Sequence, residues 1–101
     1  MPMDPRISSL ISLAKGINPT VGLIADLAGT VIGSFAGKTK SKDLAKTIAW
    51  LEKRSIRLLE QLIIENKKGT PSRPLIHEIE IRLHETLDIL MDLKQERPWD
   101  G

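Results

Sequence analysis

Two apolar repeats of nearly equal length, separated by one short break, constrain this chain more than any other feature. From about Lys42 to Asn66, Leu44, Ile48, Leu51, Ser55, Leu58 or Leu59, and Leu62 recur at four- and three-residue steps. From the Pro71 to Pro74 region to about Glu96, Ile76, Ile79, Leu83, Thr86 or Leu87, Leu90 and Leu93 do the same. This spacing predicts one apolar stripe along each of two helices. Each helix spans roughly 35 Å at about 1.5 Å per residue. Between them, Lys67 and Lys68 oppose the negative end of a helix dipole. Gly69 can take the left-handed terminal conformation, and Pro71 prevents continuation. So short a break forces the helices antiparallel. A lone hairpin buries one seam only. Something must cover Leu62-Ile63-Ile64 and the stretch Leu87 to Met91: the rest of the chain, or a second copy.

The first third of the sequence reads as two shorter helices. Asp4-Pro5 joins a capping side chain to a proline suited to the first helical position. Ile7, Leu10, Ile11, Ala14 and Ile17 follow on one face, and Gly16 stops the helix. Asn18-Pro19 repeats the start signal. Val21, Leu23, Ile24, Leu27, Val31, Ile32 and Phe35 continue to Gly37, and Gly37 to Lys42 is a polar linker. No stretch alternates with period two between turn residues, so no strand is expected. The predicted fold is all-α: a bundle of three or four helices dominated by the long hairpin. Residues 1–37 form an apolar, Gly-rich segment, and residues 38–101 form the charged hairpin with a short tail. With 101 residues the chain makes one domain with a modest core. It has no Cys, which excludes disulfides and thiolate metal sites.

Glycine spacing marks the second helix. Gly29, Gly33 and Gly37 make a GxxxGxxxG repeat, with Gly22 one heptad earlier. Gly22, Gly29 and Gly33 share a face where another backbone can approach closely. Interior glycine costs a helix about 1 kcal/mol relative to Ala, so such a cluster calls for a packing reason. Two readings compete: close packing within one soluble bundle, and self-association as a glycine zipper in a membrane or a homo-oligomer. Gly16 to Gly37 is long enough to cross a bilayer. Asp26 interrupts it, however, and the charge-free stretch from Leu27 is too short to span. A charge at mid-membrane costs about 3 kcal/mol on insertion scales.

Charge is divided between the hairpin's arms. Lys38, Lys40, Lys42, Lys46, Lys53, Arg54 and Arg57 outweigh Asp43 and Glu52 on the first. On the second, Glu78, Glu80, Glu85, Asp88, Asp92, Glu96 and Asp100 outweigh Arg82, Lys94 and Arg97. The simplest expectation is that bases face acids across the hairpin. The alternative is that Lys42, Lys46, Lys53, Arg54 and Arg57 contact nucleic acid or an acidic partner, with Trp50 available to stack. A net charge of only +2 argues against nucleic acid.

Motifs for chemistry are weak. Gly33 to Thr39 resembles a phosphate loop, but it is one residue short and follows a helix where the motif needs a strand. His77, Glu80, His84 and Asp88 form a polar stripe that reads as a solvated face, and the paired Glu-x-x-His pattern of di-metal bundles is missing. No serine occupies an elbow-like context, and no nucleophile and base meet. The N-terminus lacks the basic start of a signal peptide. Trp99, on the tail, either packs back on the hairpin or anchors a partner.

These features predict a cytoplasmic, non-enzymatic protein without cofactor or metal that self-associates through apolar helix faces. Gly22, Gly29 and Gly33 would set close approach, and Leu51, Leu58, Leu62, Leu83 and Leu90 would fill the seam. The first alternative is a membrane-active protein that inserts its Gly-rich helix. The second is a nucleic-acid adaptor that uses the basic third helix.

Overall fold

A computed structural model describes residues 5–33 and 42–94. These hold four helices and no strand: α1 (Pro5–Lys15), α2 (Pro19–Gly33), α3 (Lys42–Lys67) and α4 (Arg73–Lys94). The chain is all-α. Asp4, Phe35, Gly37, the linker bases Lys38 and Lys40, the loop-like run after Gly33 and Trp99 lie outside the described residues.

Local chemistry accounts for the helix ends. The Gly16 and Ile17 N–H groups donate to the Leu13 and Ala14 carbonyls at 3.2 and 3.0 Å, a tight final turn that closes α1. The Asn18 side-chain oxygen accepts the Val21 N–H at 2.9 Å, so Asn18 caps α2 and Pro19 occupies the first helical position, as the sequence predicts. Ser72 caps α4: its carbonyl accepts from Ile76 at 2.9 Å and its hydroxyl faces the Leu75 N–H at 3.4 Å.

The turn between α3 and α4 closes differently from the sequence expectation. Gly69 does not take the left-handed backbone conformation. Instead the buried Glu65 carboxylate accepts the Ser72 N–H at 3.1 Å and the Lys68 ammonium at 3.0 Å. The Lys68 N–H closes the last turn of α3 by donating to the Glu65 carbonyl at 3.3 Å, and the Glu65 side chain ties that turn to the start of α4.

α1 packs on α2 as one hairpin and α3 on α4 as another, and both α1 and α2 also rest on α3. One continuous core results. Ala14, Val21, Ile24, Ala25, Ala28 and Val31 from the first hairpin meet Ile48, Leu51, Leu58, Leu59, Leu62, Ile63, Ile79, Leu83, Leu87 and Leu90 from the second. Leu62, Ile63, Leu87 and Leu90 are therefore covered within one copy, while Ile64 and Ile89 stay exposed. Two polar side chains on the α3–α4 stripes, Ser55 and Thr86, are buried and turn back to their own helices. Ser55 donates to the Leu51 carbonyl at 2.9 Å and Thr86 to that of Arg82 at 2.7 Å.

Lys94 ties the two hairpins together. Its ammonium donates to the Val31 and Ile32 carbonyls, both at 2.9 Å, and to the Glu52 carboxylate at 2.7 Å. Those carbonyls belong to the last described turn of α2, at the negative end of the helix dipole. One cation on α4 thus meets two needs of α2 and one carboxylate of α3.

Candidate functional site

The glycine face predicted for association is used inside the chain. A Cβ placed on Gly29 would lie 2.5 Å from Ile11 Cδ1, and one on Gly22 would lie 3.4 Å from Lys15 Cα. Both glycines admit α1, while Gly33 ends α2 at the surface. Next to this contact Lys15 and Asp26 form a surface ion pair at 3.2 Å. Leu51, Leu58, Leu62, Leu83 and Leu90 all lie in the core of the single copy. A surface for a second molecule therefore has to be built from other residues.

An open furrow runs along the α3–α4 hairpin, lined only by residues of these two helices and the turn between them. A groove of about 380 Å³ runs between the two helices near their connection, lined by Ile64, Glu65, Lys68, Leu75, Glu78 and Ile79 among others. A second, of about 270 Å³, continues it along α3 past Trp50, Lys53, Arg54 and Arg57. The two share Leu58, Gln61 and Arg82, so they form one furrow. Large apolar side chains stand open along the hairpin: Trp50 and Ile64 are each 60% exposed, Ile89 52% and Leu75 40%.

The charges on this hairpin do not pair as the sequence led us to expect. Lys42, Lys46, Lys53, Arg54 and Arg57 are exposed, and none forms an ion pair with a carboxylate of α4 among the described residues. The cross-hairpin pair that does form runs the other way, from Lys94 on α4 to Glu52 on α3. Lys53, Arg54 and Arg57 stand on the flank of α3 that borders the furrow, where the α4 residue sharing its wall is Arg82, a like charge. Arg54 lies over the Trp50 ring, 5.7 Å from its centroid. Arg82 pairs with Glu78 on its own helix at 2.8 Å.

The polar stripe of α4 is spread out rather than convergent. Glu80 and His84 line a groove of about 310 Å³ against Thr20, Leu23 and Leu27 of α2, while His77 and Asp88 face outward. Among the described residues no three His, Asp or Glu side chains gather as a metal-binding group. Among them, too, no helix is long and apolar enough to cross a membrane.

Two residues that hold the fold, Lys94 and Glu65, were not singled out from the sequence. The signal was present. Lys94 follows Leu90 by four residues and Leu87 by seven, and Glu65 follows Leu62 by three and Leu58 by seven. A charge in register with a leucine stripe has to enter the core with a partner.

No protein-family model, curated protein or solved structure matches this chain.

Proposed function

We propose that this protein is a non-enzymatic helical interaction protein that self-associates through the open side of its α3–α4 hairpin. One observation carries the reading: with the core already closed, Trp50, Ile64, Leu75 and Ile89 remain exposed on the hairpin. Large apolar side chains grouped beside charged ones are the composition of a docking surface, since aromatic and aliphatic anchors supply most of the energy of association. The internal use of Gly22 and Gly29 supports placing the contact here rather than on α2.

Sedimentation equilibrium across a wide concentration range tests this. The expected result is a reversible monomer–dimer equilibrium that weakens when Trp50 and Ile64 are replaced by Ser. A chain that sediments as a single copy up to high micromolar concentration would overturn it.

A further inference from the structure

We infer that the second copy docks with its α4 against α3 and its α3 against α4, about a two-fold axis parallel to the helices. The inference rests on the self-association proposed above and specifies its geometry. Its warrant is charge. Lys46, Lys53 and Arg57 stand exposed on α3 without an ion pair, and so do Glu85 and Asp92 on α4, among the described residues. Two unmatched blocks of opposite sign therefore sit side by side on adjacent helices of one copy.

Two symmetric arrangements lay one hairpin on another. An axis perpendicular to the helices places α3 on α3, so that base meets base and acid meets acid. An axis parallel to the helices places α3 on α4, so that each block meets its opposite twice, once on each side of the dimer. A two-fold interface repeats every contact, so the sign of the charges chooses between the arrangements with doubled weight.

Register supports the same choice. The shared furrow sets Arg82 level with Leu58 and Gln61, and Leu75 level with Ile64. Counting along antiparallel helices from there, Ile89 falls level with Trp50, Glu85 with Arg57, and Asp92 with Lys46. Rotation about a parallel axis preserves level. Trp50 then meets Ile89 of the second copy and Ile64 meets Leu75, giving two apolar contacts spaced along the furrow. Arg57 meets Glu85 between them and Lys46 meets Asp92 beyond Trp50, giving charged contacts that alternate with the apolar ones. This is the division of labour of a helical bundle interface, with apolar residues supplying affinity and flanking charges selecting orientation. Arg54 and Arg82, which also face the furrow, already lie over Trp50 and beside Glu78.

A charge-swap experiment tests the geometry. One variant carries Lys46→Glu and Arg57→Glu, the other Glu85→Lys and Asp92→Lys. Circular dichroism first establishes that each remains helical and melts cooperatively. Where a double variant does not, Arg57→Glu and Glu85→Lys alone take its place. Each variant by itself is expected to dimerise about tenfold more weakly than the unsubstituted chain. Mixed in equal amounts, they should form a heterodimer, seen by native mass spectrometry, within about threefold of the original Kd. If the unsubstituted chain dimerises and both variants do so equally well, or if mixing restores nothing, the α3-on-α4 geometry is wrong while self-association stands. If the unsubstituted chain stays single and instead retards an oligonucleotide through Lys53 and Arg57, both readings fall.

Discussion

Lys94 and Glu52 meet at 2.7 Å across the hairpin seam, with the ammonium side chain only 3% exposed and the carboxylate 28%. The same ammonium holds the Val31 and Ile32 carbonyls at the end of α2. The buried cation is thus shared between two helix-end carbonyls and a carboxylate. Replacing Lys94 by Met keeps the length and apolar stem and removes the donor. We expect a loss of roughly 2–4 kcal/mol in denaturant unfolding, because a half-buried carboxylate loses its cation and two helix-end carbonyls lose a shared donor. Adding Glu52→Leu should recover part of that loss, since the orphaned charge is then gone. A single Lys94→Met variant as stable as the original would show that solvent replaces the ammonium at no cost.

The two interior glycines of α2 should respond differently to alanine. At Gly22 the new methyl would sit 3.4 Å from Lys15 Cα, an ordinary contact. The gain in helix propensity then dominates, and Gly22→Ala should stabilise by about 0.5–1 kcal/mol. At Gly29 the methyl would meet Ile11 Cδ1 at 2.5 Å, so Ile11 must leave its rotamer or α1 must shift. Gly29→Ala should therefore gain nothing or lose up to about 1 kcal/mol, and Gly29→Leu should lose about 1–3 kcal/mol through overpacking. Combining Gly29→Ala with Ile11→Val removes the clashing methyl and should restore the propensity gain. Thermal melts of the four variants decide it. Equal responses at the two positions would mean that α1 does not lie against Gly29.

Glu65 gives the fold a dependence on acid. The Ser72 N–H, and after it the Lys68 ammonium, hold its carboxyl below the usual carboxylate range. A carboxyl with a lower pKa folded than unfolded stabilises the fold fully above its unfolded value, near 4.3. That contribution fades as the pH falls through the folded value. In the original chain, melting temperature should drop steeply on acidification through this window. In Glu65→Gln it should start lower at neutral pH and fall less, because one titrating group is gone. Parallel pH profiles would show that Glu65 does not couple to folding.

Helical class, the hairpin and the Asn18-Pro19 start were legible in the sequence because each rests on local or periodic information. The Ile48-Leu51-Ser55-Leu58-Leu62 stripe places those residues inward whatever packs on them. Helix-to-helix neighbours were not legible. Gly22 and Gly29 announce a close approach, but spacing alone does not say that Ile11 and Lys15 make it. The charge blocks misled for a similar reason: composition shows that Lys53 and Arg57 lie on the arm beside Glu85 and Asp92, whereas pairing depends on rotation about the helix axis. Lys94 was obscured by its position in a last turn, where a base already has a local explanation in the dipole.

Trp50 offers a direct view of the open face. Its ring is 60% exposed and shielded only in part by Arg54. Nothing in the core depends on it, so Trp50→Ala should change unfolding free energy by no more than about 0.5 kcal/mol. Association, by contrast, should weaken by about tenfold or more, as for a central aromatic anchor. In a Trp99→Phe background Trp50 is the sole indole, and its emission should move to shorter wavelength as concentration rises through the dimer Kd and the ring leaves water. The same shift should vanish when Ile89, its expected neighbour in the second copy, is replaced by Lys. Emission that stays at the wavelength of a hydrated indole while the mass doubles would place the contact elsewhere on the molecule and leave Trp50 on a free surface.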